Sequence, residues 1–255
     1  MPPDAATWSD RGVSERLLGT RFTDLRWFDR IGSTNTYALD AARGGAPEGL
    51  IVVADEQTAG RGRLGRRWES PAGASLLVSV LLRPARALPQ RSSMATALAL
   101  GDAVHAICGF EPRLKWPNDL VVRDRKLAGI LAESDREAIV VGAGCNVNWT
   151  AMPPELANIA TSCALEAGRT IDRVELLIRF AHELDAILSD LEGISEAYRA
   201  RLDTLGRHVR VERSDSELEG VAVDIDSEGA LIVETIDGVR RRISAGDVVH
   251  LRSRD

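Results

Sequence analysis

The sequence predicts an α+β protein with two units. A larger unit over residues 1–205 combines a mixed β-sheet with helices, and a small closed β-barrel follows over residues 206–255. Three observations carry this. Strand-length apolar runs alternate with helix-period segments as far as Leu205. From Val209 to Leu251 the pattern changes to five short alternating segments parted by turn residues. The 255 residues are 44% hydrophobic and 27% charged, enough apolar material for a full core and too much for a disordered chain.

The elements follow in order. Residues 1–20 are polar, with weak helical character at Ser14–Leu18. Phe22–Phe28 reads as a short strand. Ser33-Thr34-Asn35 opens a helix over Thr36–Arg43, closed by Gly44-Gly45. Leu50–Ala54 and Leu76–Leu82 are apolar strands, and Pro84 stops the second. Ser92–Cys108, rich in Ala and Leu with Gly109 after it, is a buried helix. Leu114–Trp116, Leu120–Arg123, Lys126–Ala132 and Ile139–Val147 are strands, the middle pair turning at Asp124-Arg125. Asp172-Arg173-Val174-Glu175 has a capping-box pattern, followed by apolar residues at helical spacing from Val174 to Leu191. Ser195–Leu202 continues helically. The barrel strands are Val209–Glu212, Gly220–Ile225, Ala230–Glu234, Val239–Ile243 and Val248–Leu251, with hairpins at Asp226–Gly229 and Asp237-Gly238.

Composition narrows the function classes. A net charge of -6 and a pI near 5.4 argue against broad nucleic-acid or membrane binding. Met1–Asp10 has neither the basic start nor the apolar stretch of a signal peptide, and no apolar run approaches the ~20 residues of a membrane span. Cys108, Cys145 and Cys163 are far apart and outside metal-ligand spacing, as buried thiols of a reducing cytoplasm would be.

Against that acidic background stands Gly60-Arg61-Gly62-Arg63-Leu64-Gly65-Arg66-Arg67-Trp68, with four arginines, three glycines and no acid. Glycine lets backbone N–H groups approach an anion, and arginine offers a planar fork to phosphate or carboxylate. Alone, such a run is more often a solvated basic turn. Lys115-Trp116-Pro117-Asn118-Asp119-Leu120 puts a cation, an aromatic ring, an amide and a carboxylate at one strand–turn–strand junction, though a hairpin corner also favours Asn and Asp. Lys126-Leu127-Ala128-Gly129-Ile130-Leu131 starts an apolar strand with a lysine. Gly142-Ala143-Gly144-Cys145-Asn146-Val147-Asn148 places glycines inside a strand, where a ligand or another chain segment often comes close.

In this order, with Ser33-Thr34-Asn35 before them, these runs resemble the biotin protein ligase family over roughly Phe28 to Asn148, and more loosely through a C-terminal barrel ending Gly246-Asp247-Val248-Val249. The resemblance implies a class II synthetase-like catalytic domain followed by an SH3-like barrel. It implies an enzyme that makes biotinyl-5′-AMP from biotin and ATP with Mg2+, then passes the biotinyl group to a lysine of a biotin carboxyl carrier domain. On that basis Ser33, Thr34, Asn35, Gln57, Gly60, Arg61, Gly62, Arg63, Lys126 and Gly129 would bind biotin. Arg63, Arg66, Trp68, Lys115, Asn118, Asp119 and Asn146 would bind ATP, Trp68 by stacking on adenine. Arg63, Lys115, Lys126 and Asp119 would carry the chemistry. Ser33 and Thr34 are equally fit to cap a helix. No all-protein metal cage is evident.

Two other functions share some of these features. A lipoate or octanoate transferase has the same fold, but a cysteine-acyl mechanism needs an activated thiol, and none of the three cysteines has a basic neighbour in sequence. A biotin-responsive regulator without catalysis would need a DNA reader. About thirty residues precede Ser33, roughly half of what a winged helix-turn-helix needs, so the short form of the family is expected.

Overall fold

The structure, a computed structural model, describes residues 12–84, 89–212 and 216–251; Met1–Asp10 lies outside them. Its larger sheet has seven strands: β1 (Asp24–Ile31), β2 (Leu50–Gln57), β3 (Ser75–Leu82), β4 (Arg113–Lys115), β5 (Asp119–Val122), β6 (Arg125–Asp135) and β7 (Ala138–Asn146). Their order is β1-β2-β3-β7-β6-β5-β4. Only β1 and β2 run parallel, joined by the crossover helix α2 (Thr34–Arg43); α1 (Val13–Arg16) precedes them.

The central strands face two cores. Ile51, Val53, Val78, Val80, Ile139 and Val141 pack on the side of α3 (Pro89–Cys108) and α6 (Arg173–Ser189). Leu50, Val52, Leu81 and Val140 pack on the side of α2. Burial on both faces is why β2 and β3 read as unbroken apolar runs rather than as alternation. Two short helices, α4 (Pro154–Ala157) and α5 (Cys163–Ala167), follow β7, and α7 (Ile194–Arg201) leads out of the unit.

The second sheet has β8 (His208–Glu212), β9 (Glu217–Ile225), β10 (Leu231–Glu234), β11 (Arg240–Ile243) and β12 (Asp247–His250), all antiparallel in the order β11-β10-β9-β8-β12. The end strands β11 and β12 share no ladder among the described residues. The link Ser244–Gly246 joins them, so chain connection, not hydrogen bonding, closes this small β domain.

Several boundaries differ from expectation for local reasons. The β5–β6 turn is Arg123-Asp124, with φ of 49° and 62°, one residue earlier than expected. Both central residues of such a tight hairpin need positive φ, and Asp tolerates it. Helix α3 begins at Pro89 rather than Ser92, proline's fixed φ suiting a first helical turn. The capping box of α6 is half made. Asp172 accepts from the N–H groups of Val174 and Glu175, but the Glu175 carboxylate turns to Arg16 at 2.6 Å.

The Lys115–Asp119 junction ties the two sheets together. Trp116 is buried, its backbone N–H bonded to Thr204 Oγ1 and its indole Nε1 to Gly229 O, both at 2.9 Å. The β domain is thereby held against the edge of the larger sheet where the conspicuous sequence runs converge.

Candidate active site

One cavity of about 340 Å³ collects most of the expected residues. Ser33, Thr34 and Asn35 enter from the start of α2, Gln57 from the end of β2, and Arg61, Gly62, Arg63, Arg66 and Trp68 from the arginine loop. Lys115, Asn118 and Asp119 come from the β4–β5 junction, and Lys126 and Gly129 from β6. Gly60 and Asn146 do not line it. Gly60 allows a chain crossing, since a Cβ there would meet Trp68 O at 2.4 Å. Asn146 is buried, donating from Nδ2 to Thr161 O at 3.0 Å.

At one end the hydrogen bonding fixes an amide. Gln57 Oε1 accepts from the Thr34 N–H at 2.8 Å and from the Thr34 hydroxyl at 3.0 Å. Its Nε2 is left as a donor on the cavity wall. The Ser33 hydroxyl oxygen caps α2 by accepting from the Thr36 N–H, which leaves its own proton to donate. Asn35 is fully engaged within the protein. Its Nδ2 donates to Leu131 O at 3.2 Å and to Glu133 at 2.8 Å, and its Oδ1 accepts from Ser79 Oγ at 2.6 Å.

The middle of the cavity is a slot floored by glycine. A Cβ on Gly144 would lie 2.6 Å from Trp68 Cε2, and one on Gly129 would lie 3.1 Å from Trp68 Cζ3. The indole therefore rests directly on the backbone of β6 and β7. Its Nε1 is buried without a hydrogen-bond partner. Lys126 Nζ stands 5.6 Å from the ring centre, over its face.

The far end is cationic and counterbalanced. Lys126 Nζ pairs with Asp119 Oδ1 at 2.7 Å. Arg63 donates to Asn118 Oδ1 and to Gly246 O, each at 3.3 Å, with Asp247 at 3.9 Å. Burial lowers the pKa of Arg63 from its ordinary value. The guanidinium thus has incomplete solvation, and a ligand anion would restore it. Arg66 pairs with Asp247 of the second sheet, Arg61 with Glu133 at 2.7 Å, and Arg67 with Glu69 at 3.3 Å. Arg61, Arg66 and Arg67 are each matched by a carboxylate, which the sequence run, having none, did not suggest.

Sequence reasoning did not single out Ser79 or Glu133, and it named Asp247 only within the C-terminal run Gly246–Val249, with no role in the site. Ser79 carried a signal, a polar residue amid the apolar run of β3, while Glu133 carried none. All three cysteines are buried, with Cys145 and Cys163 sulfurs 3.9 Å apart. Hydrogen bonding to Cys163 and burial hold the Cys108 thiol protonated, and no thiol lines the cavity. A cysteine-acyl mechanism has no nucleophile here. Asp124, Asp203 and His250 also cluster, but the Arg207 guanidinium already bridges the two carboxylates at 2.9 and 2.6 Å.

A directional polar end, a flat slot and a cationic end, on a mixed sheet with a small β domain behind, fit the acid-activating, synthetase-like enzyme that the sequence resemblance implies. Comparison with known proteins specifies the acid-activating class further. Residues 27–149 match the biotin/lipoate A/B protein ligase family and residues 204–251 the biotin protein ligase C-terminal domain. The chain is 37% identical to the biotin-[acetyl-CoA-carboxylase] ligase of Mycobacterium tuberculosis, over 95% of this chain and 96% of that one. It is 36% identical to the bifunctional ligase/repressor BirA of Bacillus spizizenii over 92% of this chain and 75% of the relative. Among solved structures, the Aquifex aeolicus biotin protein ligase in complex with biotin and ATP superposes with a TM-score of 0.80 at 28% identity, covering 91% of this chain and all of that one. The chain belongs to the biotin protein ligase family.

Proposed function

We propose that this cavity carries out the family's ATP-dependent biotinylation, with residues 1–205 as the catalytic unit and 206–255 as its β domain. The observation that carries the reading is one cavity with oriented neutral donors at one end and Arg63, Lys115 and Lys126 at the other. Gln57 Nε2 and the Ser33 hydroxyl donate to the ureido oxygen of biotin. The acyl chain runs past the edge of Trp68, bringing the biotin carboxylate to Lys126 and Arg63. ATP lies along Arg63, Arg66, Lys115 and Asn118, with the adenine against the outer face of Trp68.

The carboxylate and the α-phosphate repel each other, so the first task is neutralisation. Lys126 and Arg63 hold the carboxylate oxygen in line with phosphorus, and Arg66 and Lys115 take charge developing on the phosphates. Positioning and charge stabilisation supply the catalysis, without a covalent enzyme intermediate. Mg2+ would neutralise phosphate oxygens, and Asp119, a carboxylate on the cavity wall beside the lysine, is the residue suited to hold it. In the second step Asp119 orients the attacking lysine amine of a carrier domain and accepts its proton. Trp68 and the loop keep water from the adenylate. The partners are biotin, ATP and a carboxylase carrier domain, in the cytoplasm. No helix among the described residues is long and apolar enough to cross a membrane. Nucleic acid is not a partner, given the net charge of -6; a biotin-dependent gel shift at physiological salt would contradict this.

Biotin-dependent ATP–pyrophosphate exchange is the direct test. Arg63→Ala and Lys126→Ala should each lower its rate by ~10²–10³, the usual effect of losing one preorganised donor, with the fold intact by circular dichroism. Exchange near the wild-type rate in both variants would overturn these assignments.

A further inference from the structure

We propose that Glu133 is a positioning residue that couples biotin recognition to the arginine loop. A single oxygen of its carboxylate, Oε2, accepts from Asn35 Nδ2 at 2.8 Å and from Arg61 Nη2 at 2.7 Å. Both donors belong to segments expected to touch biotin, and they meet on this third residue.

The two sides of the contact differ in rigidity. Asn35 is clamped: its amide is also bonded to Leu131 O and Ser79 Oγ, and a Cβ on Gly142 would lie 2.1 Å from Asn35 Oδ1. It follows Thr34, whose N–H and hydroxyl orient Gln57. Arg61 lies on the loop, bridged antiparallel to Arg67, and Trp68 comes next. Glu133 therefore passes the position of the first turn of α2 to the segment that sets the indole over the slot. The Arg61–Glu133 pair is partly exposed, with side chains 42% and 25% accessible, so it adds little to folding stability. Its charge-assisted, two-donor geometry instead fixes a direction. Any movement of α2 on ligand binding shifts the oxygen that Arg61 must follow, and by reciprocity a docked loop favours the α2 geometry that holds biotin.

The inference rests on biotin's head group lying at Ser33 and Gln57, and the experiment separates the two. Biotin-dependent pyrophosphate exchange by the wild-type protein tests the ligase reading alone. Glu133→Gln keeps the size and an acceptor for Asn35 but removes the charge that Arg61 needs; Arg61→Met keeps the stem and removes the fork. Each variant should raise the biotin KM about 10-fold with a smaller change in kcat, and the double variant should be no worse than either single one. Amides over residues 58–68 should exchange faster in ligand-free Glu133→Gln than in wild type, a readout that needs no activity. Multiplying effects in the double variant, or wild-type KM and exchange in Glu133→Gln, would overturn the proposal. Should the Gln variant fold poorly, Glu133→Asp, one methylene short of Arg61, reads the same coupling.

Discussion

Gly144 shows how a single missing methyl shapes the cavity. Glycines within β7 suggested that something passes close to the strand, and something does. The visitors are the protein's own side chains, Trp68 over Gly144 and Asn35 over Gly142. No one-dimensional pattern could distinguish them from a ligand, since Trp68 is far from β7 in sequence. Gly144→Ala should push the indole off the sheet and displace it within the cavity. A misplacement of about 1 Å at a reacting centre costs ~10²-fold in rate, so adenylate formation should fall by that order while the fold survives. Steady-state exchange kinetics would measure it, and the fluorescence of Trp68 should change with it. Unaltered kinetics would mean that the ring does not define the slot. Ser79 was legible as an anomaly in a buried strand. Glu133 was not, because its importance lies in what converges on it.

At the level of elements, strands buried on both faces were the easiest to read, and β2, β3 and β7 stand where their apolar runs put them. Ends were harder, because they depend on distant partners. The α6 capping box is incomplete because Arg16, from the start of the chain, takes the carboxylate of Glu175. Asp172 is the side-chain cap seen at that helix start among the described residues. Asp172→Ala should cost about 1 kcal/mol of stability, visible as a lower denaturation midpoint, with pyrophosphate exchange unchanged. An equal loss of activity would place α6 in the site. The arginine loop is the element whose behaviour changes most on seeing its partners. Read as a run alone, it is a solvated basic turn without an acid. In the structure it forms a compact turn, with a 3₁₀ segment at Arg63–Gly65, Leu64 at φ 54°, and Gly62 N–H bonded to Arg66 O at 2.7 Å. Its amides should show measurable protection from hydrogen exchange without ligand, rising with biotin and further with MgATP. Unprotected amides in the ligand-free protein would show that the carboxylate partners do not hold the loop.

For the whole molecule, the change of pattern after Leu205 announced a second sheet, but not that this sheet completes the cavity. Asp247 and Val248 of β12 line it, and Gly246 O receives Arg63. Behind that wall sits His250, facing Thr204, Asp124, Asp203, Arg207 and Lys115. Burial, then the neighbouring cations, lower its pKa from 6.5 to about 4. Between those values the unfolded chain binds a proton that the folded one refuses. The stability conferred by neutral His250 is thus complete above pH 6.5 and lost as pH falls toward 4. His250→Gln should flatten the pH dependence of the thermal midpoint across that window, and an unchanged slope would assign the effect elsewhere. The reach of Gly246 and Asp247 into the arginine loop also has a consequence in time. Arg63 and its carbonyl partner are 183 residues apart, and contacts of long sequence separation form late in folding. During refolding or ribosomal synthesis the larger sheet can assemble while Arg63 and Arg66 still await Asp247. Recovery of catalysis should therefore lag behind recovery of helix and sheet, and the interval between those two signals would clock the docking of the last strand.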